Sequence, residues 1–536
     1  MKRELFLGNE AVAQAAIDAG ISGVYAYPGT PSTEITEYIQ QNSLAVERKV
    51  HSKWSANEKT AYETALGMSY AGKRALVCMK QVGLNVAADV FMNSAITGIH
   101  GGLVLAVADD PGMHSSQNEQ DSRYYGQFAM IPVLEPSNQQ EAYNMTYEAF
   151  QLSEQTQLPV MLRLTTRLSH SRSGVWRREV LQPKTLRLPK NSKQFLLLPI
   201  FARKNYARLL EKQVPLNLLA EQSKYNFFRD GQDHSLGIVC CGLAWNYVQE
   251  VYAGSAIPFP IVKISQYPLP EKLMGKLYES SDELLVIEEG YPLVESQLRD
   301  FFGKGKPVHG KLDGWLNRYG ELTTDQVGRA LKVEYDAVFE SPDCVVPRPP
   351  SFCMGCGHVD AFVALQEAVA EFGEGHVFSD IGCYALAALP PFESIYSCVD
   401  MGASITMAKG AADAGLFPAI AVLGDSTFAH SGMTGLLDAV NEHTNMLIVI
   451  SDNKSVSMTG GQDSAATDIL ETICVGLGVD TRHIRIVVPL KKNYAEMVRI
   501  FKEEIAFVGV SVVIPRRECL QRAARRLRQY RIRRTK

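Results

Sequence analysis

The stretch that most constrains this chain is Ala419 to Asn453, AIAVLGDSTFAHSGMTGLLDAVNEHTNMLIVISDN. Ala419–Leu423 is a short apolar run that fits a fully buried strand. Gly424-Asp425-Ser426 breaks the run. Between Gly432 and His443, residues Met433, Leu436, Leu437 and Val440 recur at helical spacing and form one apolar stripe. Met446–Ile450 is a second buried strand. A strand–helix–strand unit this short is a right-handed parallel crossover, so both strands point the same way. Asp425 follows the first strand and Asp452-Asn453 the second. Oxygen donors far apart in sequence therefore converge at one sheet edge, where open α/β sheets bind ligands. A hard divalent cation holding a diphosphate takes one or two side-chain oxygens, phosphate oxygens and water. Taken alone, the pattern equally fits an ordinary βαβ unit with polar loop ends.

The rest of the chain sets the context. Its 536 residues suggest three or four domains, and 46% hydrophobic with 21% charged residues is ordinary for proteins with large cores. A net charge of −4 is too small to imply nucleic acid or a membrane surface. No apolar run approaches the ~18 residues of a membrane span. The opening MKRELFLGNEAVAQ meets Glu4 and Glu10 before a signal-like apolar region forms, which predicts a cytoplasmic protein. The ten cysteines are scattered, but Cys353 and Cys356 form a C-x2-C pair. In a reducing compartment that spacing points to a metal, a cluster or redox work more than to a disulfide.

Helix-like and strand-like segments alternate over residues 1–174. Strand Gly23–Tyr27 ends in Pro28-Gly29-Thr30-Pro31-Ser32-Thr33 ahead of helix Glu34–Gln41, an arrangement that suits an anion or simply caps a helix. A helix over Asn57–Tyr70 places Ala61, Ala65 and Met68 on one face. Strands at Ala75–Met79, Leu103–Ala108 and Val160–Leu164 complete a doubly wound pattern. Gln81–Asn85 and the polar loop HSSQNEQDSRYYG follow two of these strand regions. Residues 175–234, rich in Lys, Arg and Asn, read as a linker with an extended arm. Residues 235–335 return to α/β, with helices expected at Ala244–Ala253, Pro270–Leu277 and Pro292–Phe302. Residues 336–350 read as a hinge and 351–519 as another α/β unit. The tail, 520–536, is strongly basic: a solvated helix end, or a docking arm for an acidic partner.

Asp425, followed by Ser426 and then Asp452-Asn453, resembles the thiamine diphosphate motif that runs from Gly-Asp-Gly to Asn-Asn, and Asn57-Glu58 with Gly67 resembles its pyrimidine-side counterpart. The stretches AYPGTPSTEI, WSANEK, KQVGLNVAAD, ADDPGMHSSQNEQDSR, CMGCGH, DIGCYALA and GDSTFAHSG resemble the alpha subunits of indolepyruvate:ferredoxin oxidoreductases, within the 2-oxoacid:ferredoxin oxidoreductases. The resemblance spans nearly the whole chain and is weakest over 175–234. It implies two doubly wound parallel-sheet domains that bind thiamine diphosphate, a pyrimidine-binding domain (1–174) and a diphosphate-binding domain (351–519). A smaller α/β transketolase-C-like domain (235–335) accompanies them.

The resemblance also implies roles. Glu58, rather than Glu63, is the acid that favours the imino tautomer of thiamine. Asp425, the Asn453 side chain and the Ser455 carbonyl are Mg²⁺ ligands, beside Gly424 and Ser426. Ser426 stands where many relatives have Gly. Gly355, Cys356, Gly357 and His358 form the loop packed on the cofactor, His358 reaching a phosphate, and Gly83 is a further cofactor-binding position. Thr30 matches the Thr of a Y-P-x-T-P loop placed to touch the 2-oxoacid. The implied reaction is decarboxylation of an aryl pyruvate such as indolepyruvate, one-electron oxidation, and acyl transfer to coenzyme A. Electrons leave for ferredoxin or a separate ferredoxin-like subunit, and a smaller beta subunit completes a hetero-oligomer, expected as α2β2.

Relatives continue past the Arg-Arg-Glu-Cys region into a ferredoxin-like domain with C-x2-C-x2-C-x3-C repeats. Up to Lys536 this chain shows none, so that domain is expected to be a separate polypeptide, lost or truncated. Cys353, Cys356 and Cys383, with Cys519 as a fourth, resemble the ligand set of a [4Fe–4S] cluster in related enzymes. The alternative is that these are small apolar residues packing the cofactor loop. Two other functions compete: a non-redox thiamine diphosphate decarboxylase or ligase, and a non-catalytic subunit that has kept the fold.

Overall fold

The computed structural model describes residues 3–191, 193–300, 303–333, 342–346, 348 and 350–535, with side chains to residue 527. The chain divides into two compact units, Met1–Glu340 and Ser341–Lys536. Residues 334–341, 347 and 349, and with them most of the expected hinge, lie outside the described residues.

The second unit is built on six parallel strands. Their order is Ser397–Cys398, Val377–Ser379, Ile420–Gly424, Met446–Ser451, Val510–Pro515 and Ile484–Val487. From Val377–Ser379 the chain moves outward to one edge, then crosses to Ile420–Gly424 on the other side. That reversal opens a crevice at the carboxyl ends of these two strands, the place where such sheets bind ligands. Gly424 pairs in register with Ser451, so Asp425 and Asp452 leave the sheet side by side.

The opening βαβ reading needs one correction. No loop follows Gly424: a helical turn begins at Asp425–Thr427, passes through a π-helical turn at Phe428–Gly432, and continues as Met433–Asn441. A π turn adds a residue and breaks the 3.6 period, so the apolar spacing becomes helical only after Gly432. Leu437, assigned to the stripe, is 41% exposed. The buried face is Gly435, Leu436 and Ala439, packed on helix Ala403–Asp413. A Cβ on Gly435 would lie 3.1 Å from Thr406 Cγ2, so close helix packing replaces the larger side chain.

The described residues of the first unit form three sheets: a two-stranded antiparallel pair, Arg3–Leu7 with Arg172–Trp176, and two larger ones. The larger runs Gln266–Tyr267, Val133–Leu134, Val160–Thr165, Leu103–Asp109, Ala75–Lys80, Gly23–Ala26, parallel except for its first strand. The smaller runs Val308–His309, Glu283–Ile287, Leu236–Cys241, Ile261–Ile264, Phe227–Arg229, with only the last antiparallel. Gln81–Asn85 opens the helix Gln81–Thr97. The helix expected over Pro292–Phe302 is Leu293–Leu298, and Phe301 and Phe302 lie outside the described residues.

Residues 175–234 are not simply an extended arm. They contain helices Pro199–Glu211 and Gln213–Glu221, which bury Leu209, Leu216 and Ala220. Phe195 stacks on Tyr70 with ring centroids 3.6 Å apart. The many Lys, Arg and Asn residues occupy the outer faces and hide these short apolar stripes.

A buried ionic network ties the two larger sheets of this unit. Arg163 meets Asp109 at 2.7 Å, and Arg123 meets Asp121 at 2.5 Å and Glu288 at 2.9 Å. Charges this deep are tolerated only when paired, and removing one partner is costly.

Candidate functional site

Asp425 is 1% exposed, and its Oδ2 has no hydrogen-bond partner. Burial, and then the neighbouring Asp452 carboxylate, push its pKa up to about 7, with a hydrogen bond to Ser464 working the other way. Asp452 has its own counter-ion: Arg516 Nε lies 2.6 Å from Oδ2, while the Lys454 N–H donates to Oδ1 at 3.2 Å. Among the described residues no basic group pairs with Asp425. A buried carboxylate beside a second one is stabilised by a cation, and Asp425 is the one left wanting it. Asn453 Oδ1 accepts the Ser455 N–H at 3.0 Å, which folds the loop back at this point. Among the described residues the Ser455 carbonyl receives a long contact from Ser457 Oγ, 3.5 Å. One carboxylate, one amide oxygen and one carbonyl are hard donors, and they fit Mg²⁺ better than a soft metal.

A ladder holds this loop. Asp452 N–H donates to the Pro515 carbonyl (2.9 Å), Arg517 N–H to the Asp452 carbonyl (3.0 Å), and Cys519 N–H to the Asn453 carbonyl (3.1 Å). The basic tail continues it in the helix Leu520–Thr535. Arg522 reaches the Lys454 carbonyl and lies 2.5 Å from Asp463, and Arg525 donates to the Gly460 carbonyl at 2.5 Å. The first turns of the tail thus brace the loop that carries Asn453 and Ser455.

Helix Gly357–Val369 begins beside this edge. Gly355 has φ +77°, a backbone state that glycine adopts at little cost. His358 is buried, its Nδ1 3.1 Å from Cys356 Sγ, and burial pulls its pKa down to about 4. At neutral pH it is a neutral imidazole, a hydrogen-bonding group rather than a charge. A Cβ on Gly424 would lie 2.9 Å from the Tyr384 ring, whose hydroxyl donates to the Ile381 carbonyl and sits 2.8 Å from Thr427 Oγ1. Tyr384 therefore pins the Asp380–Ala388 segment to the first helical turn after Asp425. Ser426 is buried there without displacing any donor. Asp380, overlooked in the sequence, sits at the same crevice and accepts the N–H groups of Gly402 (2.7 Å) and Ser404 (3.1 Å). Its signal was its place directly after a strand.

Cys353, Cys356, Cys383 and Cys519 line one cavity that also reaches Asn453. Burial and then the thiols of Cys356, Cys519 and Cys353 push the Cys383 pKa up to about 12. Burial likewise raises Cys356. Among the described residues no three His, Cys, Asp or Glu side chains are close enough for a single metal ion. Cys353 is exposed and Met354 beside it is 98% exposed.

In the first unit, Glu58 opens helix Glu58–Tyr70, where the Asn57 side chain caps the Thr60 N–H at 2.8 Å. Glu58 is 5% exposed, whereas Glu63 faces solvent and pairs with Lys59 at 3.1 Å. A Cβ on Gly83 would fall 2.5 Å from Glu58 Oε1. Gly83 thus makes room for the Glu58 carboxyl. The Thr30 loop is internally braced: Gly29 N–H donates to Thr33 Oγ1 at 3.0 Å and Ser32 Oγ to the Gly29 carbonyl at 2.7 Å. From outside the loop, Asn9 Nδ2 donates to the Pro31 carbonyl at 2.6 Å, and Ser115 Oγ to the Thr30 carbonyl at 3.0 Å.

Two family descriptions match. "Pyruvate flavodoxin/ferredoxin oxidoreductase, thiamine diP-bdg" covers residues 14–196, and "Thiamine pyrophosphate enzyme, C-terminal TPP binding domain" covers 380–512. With the paired α/β units and the carboxylate edge, they define the class: a thiamine diphosphate-binding oxidoreductase subunit. The indolepyruvate oxidoreductase subunit IorA of Archaeoglobus fulgidus is 37% identical over 97% of this chain and 86% of that protein. IorA of Thermococcus kodakarensis is 37% identical over the same shares. This chain belongs to the IorA family. A 2-oxoglutarate:ferredoxin oxidoreductase from Magnetococcus marinus, solved with 2-oxoglutarate, coenzyme A and succinyl-CoA bound, is 17% identical. That likeness covers 62% of this chain and 65% of that chain, with a TM-score of 0.49.

Proposed function

We propose that this chain is the catalytic, thiamine diphosphate-binding subunit of an oxidoreductase that converts an aryl pyruvate, such as indolepyruvate, to an acyl-CoA. The observation that carries the reading is the buried, partnerless Oδ2 of Asp425 at the carboxyl edge of a parallel sheet. Asp425, the Asn453 side chain and the Ser455 carbonyl would hold Mg²⁺. The first amides of helix Gly357–Val369, with the neutral His358, would take diphosphate oxygens. Glu58, given space by Gly83, would hydrogen-bond the aminopyrimidine and hold a proton at its ring nitrogen. Thiamine diphosphate, when bound, supplies the electron sink for loss of CO₂.

Thr30 would orient the 2-oxoacid. Cys353, Cys356, Cys383 and Cys519 would hold a [4Fe–4S] cluster that passes single electrons to ferredoxin or another iron–sulfur partner. Coenzyme A would accept the acyl group. The relatives are named as subunits, and the reading includes a smaller partner chain in an α2β2 assembly. Among the described residues no helix is long and apolar enough to cross a membrane.

The test is co-purification with bound partners, then anaerobic assay with indolepyruvate, phenylpyruvate and pyruvate, coenzyme A and a redox dye. Dye reduction with acyl-CoA formation, fastest for the aryl pyruvates, is expected. Turnover that needs no electron acceptor would assign a non-redox decarboxylase instead.

A further inference from the structure

Lys80 ends the strand Ala75–Lys80, which lies between Gly23–Ala26, leading to the Thr30 loop, and Leu103–Asp109, leading to Asp110. Three neighbouring parallel strands thus deliver Thr30, Lys80 and Asp110 to one carboxyl edge, where such sheets take ligands. The Lys80 stem supports the Thr30 loop: a Cβ on Gly29 would lie 3.2 Å from Lys80 Cδ. Its ammonium donates to the Ser115 carbonyl at 2.7 Å, and the Ser115 hydroxyl donates to the Thr30 carbonyl at 3.0 Å.

An ammonium has three N–H donors. Among the described residues Lys80 uses one in a hydrogen bond and makes no ion pair. Burial draws its pKa down, opposed by the charges of Asp110 and Glu58, which places the ammonium within electrostatic reach of the catalytic acid. Asp110 does not quench it by contact. Its oxygens are taken by the Ser115 N–H (2.8 Å), Ser116 Oγ (2.8 Å) and Thr166 Oγ1 (2.6 Å). A half-buried cation with two unspent donors, beside Thr30 and near Glu58, is built to receive an anion.

We propose that Lys80 is the cation that binds the carboxylate of the 2-oxoacid, next to Thr30. The inference rests on the reading of Glu58 and Thr30 as thiamine- and substrate-facing groups. Lys80 holds the carboxylate in the ground state, so it sets which substrates enter rather than how fast the bond to CO₂ breaks. A charge-assisted contact of this kind changes affinity about tenfold to a hundredfold.

The experiment uses the assembled complex with Lys80→Gln, which keeps most of the stem under Gly29, and Lys80→Arg, which keeps the charge. Indole-3-propionic acid and its primary amide serve as unreactive competitors, and Glu58→Gln is run alongside. In the parent protein the acid binds more tightly than the amide. Lys80→Gln should abolish that preference and raise KM for indolepyruvate about tenfold or more, with thiamine diphosphate affinity unchanged. Lys80→Arg should keep the preference. An acid-over-amide preference that survives Lys80→Gln overturns the proposal, as does equal weakening of acid, amide and thiamine diphosphate, the mark of a purely structural strut. Normal turnover in Glu58→Gln would instead overturn the underlying reading and leave the Lys80 result to be judged by the competitors alone.

Discussion

The main-chain N–H of Cys519 donates to the main-chain carbonyl of Asn453 at 3.1 Å. A cysteine of the four-cysteine cavity and Asn453 are therefore the two ends of one rung of the ladder. Strain at either end is felt at the other, because the peptide groups between them are already committed to hydrogen bonds.

The cysteine cavity gives the first prediction. Anaerobically purified protein should contain about four iron and four sulfide per chain. Cys353→Ser, Cys356→Ser, Cys383→Ser and Cys519→Ser should each lose most of it, while Cys474→Ser, in the apolar core, should not. Iron-free protein in an intact, active complex would assign the four thiols to packing alone.

Asp425 gives a pH dependence. Its pKa in the metal-free fold lies above the ordinary value of 3.8, at about 7. The folded state thus holds this proton more tightly than the unfolded chain, so metal-free protein loses stability as pH rises from near 4 to about 7. Mg²⁺ binds only the deprotonated form, so its affinity should increase over that same window and level off above about 7. Calorimetric titration of Mg²⁺ with thiamine diphosphate at pH 6, 7 and 8 checks this. Asp425→Asn should remove both the pH dependence and most of the binding.

Arg522 and Arg525 anchor the loop over residues 453–460 through the Lys454 and Gly460 carbonyls. The double variant Arg522→Ala/Arg525→Ala should weaken Mg²⁺-dependent thiamine diphosphate binding by roughly tenfold, the scale of one or two charge-assisted hydrogen bonds. The melting temperature of the apo-protein should shift only slightly, because Arg525 is exposed, Arg522 is partly exposed and neither belongs to the apolar core.

Gly83→Ala should be far worse than an exposed Gly→Ala. The added carbon would lie 2.5 Å from Glu58 Oε1 and must displace a buried carboxyl. Overpacking of this kind costs about 1–3 kcal/mol. Decarboxylation should fall together with stability, and Gly67→Ala, where nothing lies within 4 Å, serves as the control.

The sequence was most legible where one residue type satisfied both a local and a global rule. Ala419–Leu423 and Met446–Ile450 are apolar because both faces of a parallel sheet are covered, and they are strands within a residue or so of the reading. Asp425 and Asn453 could be paired in advance because chirality dictates the crossover. The helix start at Asp425 was hidden by the π turn, and the helices over 199–221 by their basic outer faces. Lys80 gave no local signal: a lysine after a strand is commonplace, and its meaning comes from Gly29 and Ser115, both distant in sequence.

Under the proposed function Glu58 is the acid that acts on the thiamine aminopyrimidine. Measuring CO₂ release from indolepyruvate by the complex, with thiamine diphosphate and Mg²⁺ present, tests it directly in the Glu58→Gln variant. The account predicts release reduced at least a hundredfold, the scale of a lost general acid–base group, with thiamine diphosphate still bound. Undiminished CO₂ release from Glu58→Gln would contradict it.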